Sequence, residues 1–193
     1  IMSRNAMAIH TIAGKVLNGE VAKEVDALKG ARYIIAEWIN ERTDIRNNIR
    51  YQLEKFAAIN TKVIKSKQED EKAQKYRDYF EWSESLNRIP SHRLLAILRA
   101  EKEGFIRVKI EIDDERAVAK MEERIIRSNN KCSLQIKLAI QDSYKRLLFP
   151  ALSNEILSLA KQKADDGAIN VFAKNLKQLL LGAPLGEKTI LAI

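Results

Sequence analysis

The side chains that could do chemistry in this sequence are few and scattered. Ser91 and His92 are neighbours, but a nucleophile and its base are assembled from separate elements, so adjacency gives no triad. Asp113-Asp114 and Asp165-Asp166 are adjacent carboxylates. On a helix such neighbours point about 100° apart, which suits capping and solvent contact, not shared acid–base work. Gly186-Glu187-Lys188-Thr189 looks like the end of a phosphate loop. That loop needs glycine directly before lysine, after a strand and opening a helix; here Glu187 intervenes, a helix precedes and a strand follows. His10 and His92 are the only histidines and Cys132 is the only cysteine, which excludes a disulfide framework and a cysteine zinc cluster. Cys132 reads as a small buried apolar residue. No catalytic constellation, metal set or cofactor site is predicted, and the chain is expected not to be an enzyme.

The stronger candidates are basic. With 34 Lys+Arg against 26 Asp+Glu the formal charge is +8, which favours an anionic partner through counterion release. The charges run along the whole length, so many of them must solvate helix faces. Lys62, Lys65 and Lys67 lie in or beside an extended segment. Arg107 and Lys109 occupy the wet face of a later strand, and Arg93, Arg99 and Lys102 lie on the helix between. If the two strands pair, these eight side chains would converge into a phosphate-facing patch; ordinary solvated faces are the competing reading. Tyr76, Tyr79 and Phe80, beside Lys75 and Arg77, offer a stacking platform for bases. Aromatics at helical spacing more often form a core face.

The elements that would carry these residues follow from periodicity. Ile9, Ile12 and Val16 give a helix over 2–18, interrupted by Gly14. Val25, Leu28, Ile34, Ile35, Trp38 and Ile39 recur near 3.6 residues and predict an amphipathic helix ending around Glu41. Thr43 caps a second, with Ile45, Ile49, Leu53 and Phe56 on one face. Residues 59–65 alternate as a short strand, and 66–80 read as a charged stretch leading into a helix that carries the aromatics. Ile89-Pro90-Ser91 marks a boundary, with Ser91 as N-cap of a helix that Gly104 ends. In 105–112, Ile106, Val108, Ile110 and Ile112 point one way and Arg107, Lys109 and Glu111 the other. One wet face implies an antiparallel or edge strand, with 59–65 as partner.

Asp113 or Asp114 caps the next helix, and Asn129-Asn130 breaks it. A helix over 133–149 is closed or kinked by Pro150. One long helix then runs from about Leu152 to Leu181, ended by Gly182 and Pro184. The predicted fold is mainly α: a multi-helix assembly with one small antiparallel β element, about 59–65 with 105–112, and a truncated C-terminal strand. The only convincing boundary is the loop at 182–188, which divides 1–182 from a linker and strand at 183–193. A chain that starts at Ile1 and stops in the apolar run KTILAI reads as a piece of a longer protein. No apolar run reaches the roughly 18–20 residues of a membrane span, and no signal peptide is visible, so a cytoplasmic location is expected.

Several blocks in order carry a family likeness. DALKGARYIIAEWINE, NTKVIKSKQEDEKAQKYRDYFEWSE, IPSHRLLAILRAEKEGFIRVKI, NNKCSLQIKLAIQDSYKRLLFPAL and KADDGAINVFAKNLKQLLLGAPLGEKTILAI together resemble the Tex transcription accessory proteins of bacteria. The likeness covers Val21 to the end; Ser66, Ala100 and Gly167 depart from the usual residues of that family. It implies a cytoplasmic protein linked to transcription, similar to the core of a eukaryotic elongation factor. Its expected order is a helical region, a resolvase-like domain of ribonuclease-H type, helix-hairpin-helix motifs and an OB-fold RNA-binding module. The chain would then be the central helical region, ending in the first strand of the resolvase-like domain. The implied role is a non-catalytic scaffold that orients nucleic-acid-binding domains, with RNA or DNA as partner and a secondary basic surface of its own. The alternatives are a module that contacts RNA polymerase or ribosome-associated proteins without nucleic acid, and a nuclease fragment.

Overall fold

In the computed structural model, which describes residues 24–127 and 131–182, the first amphipathic pattern becomes helix α1 (Glu24–Glu41), followed by α2 (Thr43–Phe56). The predicted 2–18 helix, the Asn129-Asn130 break and the 183–193 linker and strand lie outside the described residues. In α2, Ile45, Ile49 and Leu53 repeat every fourth residue and are all buried, as the 3.6-residue period requires. Arg42, not Thr43, stands at the N-cap and makes no side-chain cap. Its guanidinium pairs instead with Asp44 at 2.7 Å, an acid in the first turn where the helix dipole favours negative charge. Trp38, expected on the buried face of α1, is 51% exposed. The face that packs uses the smaller Ala31, Ala36 and Ile39, and the Ser143 hydroxyl donates to the Ala36 carbonyl at 2.7 Å.

A three-stranded antiparallel sheet forms the centre: β1 (Ala58–Val63), β2 (Glu81–Ser85) and β3 (Ile106–Glu111), in the order β2-β1-β3. The predicted pairing of 59–65 with 105–112 is thus present, and β3 is an edge strand. The second strand, β2, is new, and the aromatic stretch before it is not an α-helix. Residues Lys65–Lys67 and Glu71–Tyr79 form 3₁₀ turns. They drive Ala73 and Tyr76 into the core, with the Tyr76 ring 5.8 Å from that of Phe105. Tyr79 and Phe80 also pack against the core, so the stacking-platform reading of these aromatics is corrected to a structural one.

Helix α3 (Ser91–Lys102) covers one side of the sheet with Leu94, Ile97 and Ala100. Pro90 occupies its N-cap and Ser91 its first turn. Gly104 adopts φ 78° directly after the helix, a left-handed conformation that glycine takes without a Cβ clash. Asp113 caps α4 (Asp114–Ile125) by accepting from the Arg116 N–H at 2.9 Å.

From Lys131 the chain stays helical for 50 residues: α5 (Lys131–Asp142), a π segment (Ser143–Leu148) and α6 (Phe149–Leu180). Pro150 does not stop it. Proline lacks an N–H and crowds the carbonyl four residues back, here Arg146, which lies in the wider π turn. The π segment also buries Tyr144, whose hydroxyl donates to Asp114 at 2.6 Å. Along α6, Leu152, Ile156 and Ala164 are buried in the core shared with α2 and α3. Beyond Gly167, which approaches the Ser91 hydroxyl, the helix projects with its side chains exposed.

Candidate nucleic-acid interface

Strand alternation gives the sheet two unlike faces. On the covered face lie Ile59, Thr61, Ile106 and Ile110, all buried. Thr61 ties the strands there, donating to the Tyr79 carbonyl at 2.6 Å and accepting from the Trp82 N–H at 3.1 Å. On the open face three cross-strand rows stand side by side. Lys62 lies between Glu81 and Arg107, Asn60 between Ser83 and Lys109, and Ala58 between Ser85 and Glu111.

The charges on this open face are unevenly satisfied. Lys109 holds Glu111 at 2.8 Å, and the Asn60 amide donates to the other Glu111 oxygen at 2.7 Å. Their hydrogen bond is the main cause that raises the Lys109 pKa and lowers that of Glu111. Lys62 and Arg107 sit directly opposite each other, and neither takes part in an ion pair or side-chain hydrogen bond among the described residues. Like charges in that position oppose strand pairing, and with Glu81 on the far side of Lys62 the row still carries a net positive charge.

The eight predicted cations do not converge. Lys62, Arg107 and Lys109 share the open face, and Lys65 and Lys67 continue from its Lys62–Arg107 end in the turn after β1. Lys67 lies 3.9 Å from Asp70. Arg93 belongs to the covered side: its Nη1 donates to both oxygens of Glu84 at 3.0 and 2.8 Å, and it sits 5.0 Å over the Trp82 ring. Arg99 and Lys102 are exposed on α3. That helix spends Leu94, Ile97 and Ala100 on the sheet's covered side, so its cations cannot reach the other one. Sequence reasoning missed Glu111, Asn60, Ser83 and Glu81. The alternation of 105–112 already aligned Glu111 with Arg107 and Lys109, whereas Ser83 and Glu81 depended on the unforeseen β2.

Chemically this face offers ammonium, guanidinium, amide and hydroxyl donors and has no aromatic ring on which a base could stack. Among the described residues no group of three or more His, Cys, Asp or Glu side chains could hold a metal ion. A second exposed feature lies far along α6. Ile169, Phe172, Leu176, Leu179 and Leu180 are all exposed, and at 100° per residue they form one apolar stripe roughly a third of the circumference wide.

Comparison with known proteins adds a third line of evidence. Residues 5–172 match the family model described as Tex central region-like. The chain is 38% identical over 175 residues to YdcI of Bacillus subtilis (strain 168), covering 90% of this chain and 24% of that protein. It is 33% identical over 199 residues to the transcriptional accessory protein Tex of Neisseria gonorrhoeae, covering 100% of this chain and 26% of that protein. A human protein, S1 RNA-binding domain-containing protein 1, is 26% identical over 188 residues, covering 85% of this chain and 18% of the relative. The chain therefore spans about a quarter of the length of the bacterial relatives it matches.

Proposed function

Because this chain belongs to the Tex family through its central region, we propose that it is a non-catalytic helical scaffold of a transcription accessory protein. It sets the relative positions of nucleic-acid-binding parts and adds a weak basic surface of its own. Residues 1–182 form this central region, and a further domain follows from 183. The partner is RNA or DNA, in keeping with relatives whose names carry transcription and RNA binding, and the location is cytoplasmic. The observation that carries the scaffold reading is the unbroken helical run Lys131–Leu180, about 75 Å long at 1.5 Å per residue. Small-angle scattering of the chain tests it. A radius of gyration well above the ~16 Å expected of a compact domain of 193 residues supports a spacer, and a compact value removes it. Filter binding over several salt concentrations tests the nucleic-acid half: weak, steeply salt-dependent affinity is expected, and flat, negligible binding at low salt sinks it.

The apolar stripe of α6 favours a second reading, a module that docks RNA polymerase or a ribosome-associated protein. Recovery of one stoichiometric protein partner after nuclease treatment, lost on Phe172→Asp, supports that reading; unchanged recovery rejects it.

A further inference from the structure

We propose that the open face of the sheet is a binding site for the sugar–phosphate backbone of one nucleic-acid strand, with Glu111 as an internal competitor that holds Lys109 until a phosphate displaces it. The inference rests on the nucleic-acid half of the function proposed above and assigns it to particular atoms.

Three observations carry it. The first is the charge layout. Arg107 and Lys109 are two residues apart on β3, about 6.8 Å along an antiparallel strand. Lys62 faces Arg107 across the ladder at a Cα separation of about 5.5 Å. These intervals resemble the spacing of successive phosphates on one strand. The second is chemical composition. The face offers cations on β1 and β3 with Asn60 among them, Ser83 and Ser85 on the neighbouring β2, and no aromatic or large apolar side chain, which fits backbone contact without base readout. The third is occupancy. Lys62 and Arg107 stand opposed and unpaired, at a cost to strand pairing that an anionic ligand would relieve. Lys109, in contrast, is bridged by Glu111, which Asn60 holds in place. A phosphate at this row inherits both donors, the Lys109 ammonium and the Asn60 amide, once the carboxylate swings away. Glu81, across from Lys62, adds negative charge at the rim and keeps the resting affinity low.

Fluorescence anisotropy with labelled 12-nucleotide oligo-U, oligo-C and oligo-A, titrated with the chain at several salt concentrations, tests the site. The double variant Lys62→Ala/Arg107→Ala should weaken binding about tenfold and flatten the salt slope by about 1.4, two contacts at 0.7 each. Arg99→Ala/Lys102→Ala removes the same charge from α3 and should change affinity less than threefold. Glu111→Gln should tighten binding several-fold and steepen the slope by up to about 0.7. The three homopolymers should bind alike within about threefold, because only phosphates are contacted. The site is overturned if the two double variants weaken binding equally, if Glu111→Gln weakens it or leaves it unchanged, or if one base is preferred more than tenfold. Binding by the unaltered chain that ignores the sheet variants rejects the site alone; no binding at low salt by either the unaltered chain or Glu111→Gln rejects the broader reading with it. All four cations are exposed, and far-ultraviolet circular dichroism confirms that each variant is folded.

Discussion

Residues 149–164 and 168–181 of one continuous helical stretch carry apolar side chains at similar density and meet opposite fates. Leu152 is 0% exposed and Ile156 and Ala164 are buried, whereas Phe172 is 66% exposed and Ile169, Leu179 and Leu180 stand in solvent. The first stretch lies against α2 and α3, with the Arg50 guanidinium bridging to Glu155 at 2.8 Å. The second runs past the ends of those neighbours. A 3.6-residue apolar period therefore reports that a helix has a contact face, and the rest of the fold decides whether that face meets anything within the chain.

The largest effect that would sharpen this contrast comes from Leu152→Ala. Deleting a fully buried leucine should cost about 2–5 kcal/mol, measured by urea denaturation. A loss below 1 kcal/mol would mean that the packed stretch is not packed. Next is Tyr144→Phe, just before α6, expected to cost about 1 kcal/mol at neutral pH by leaving Asp114 without its donor. Burial, helped by the Asp114 hydrogen bond, raises the Tyr144 hydroxyl pKa. A group raised in the folded state lends its stability below its unfolded pKa, about 10 for tyrosine, and loses it as pH rises beyond. Stability of the unaltered chain should fall above pH ~10 by about 1.4 kcal/mol per pH unit from this group. The phenylalanine variant should lack that component, and identical alkaline slopes would refute the assignment.

Gly167→Ala probes the junction between the stretches and should stabilise by about 0.5–1 kcal/mol. Its added methyl would meet only the Ser91 hydroxyl at 3.5 Å, an ordinary contact. Smallest is Phe172→Ala, within about 0.5 kcal/mol of neutral. A loss above 1 kcal/mol there would show that the stripe is covered in the isolated chain and break the comparison.

Much of the architecture was legible because the relevant interactions are local. The alternation of 105–112, the Asp113 cap, the left-handed Gly104 and the two opening helices each depend on a few neighbouring residues, and each is present in the structure. The failures share a different cause. Strand β2 places Glu84 toward the covered side, a position that looks wrong until Arg93, nine residues on, neutralises it. Tyr76 and Tyr79 have helical spacing, yet Thr61, 18 residues before Tyr79, takes the Tyr79 carbonyl and holds the chain in a sheet context. The predicted basic patch is divided for the same reason. Residue types identified cations, but only the packing of α3 on one side of the sheet separates Arg93, Arg99 and Lys102 from Lys62, Arg107 and Lys109.

The π segment Ser143–Leu148 sets the rotational register between two packed stretches of helix. Upstream, Ala139 and Ile140 are sealed, with α5 lying along α1; downstream, Leu152 and Ile156 are sealed in the core shared with α2 and α3. Were all six of these residues to wind as regular α-helix, one side would swing by about 100° against the other. No rotation satisfies both anchors after that change. The bearing of the distal leucines is thus fixed by the winding at a point more than 20 positions upstream.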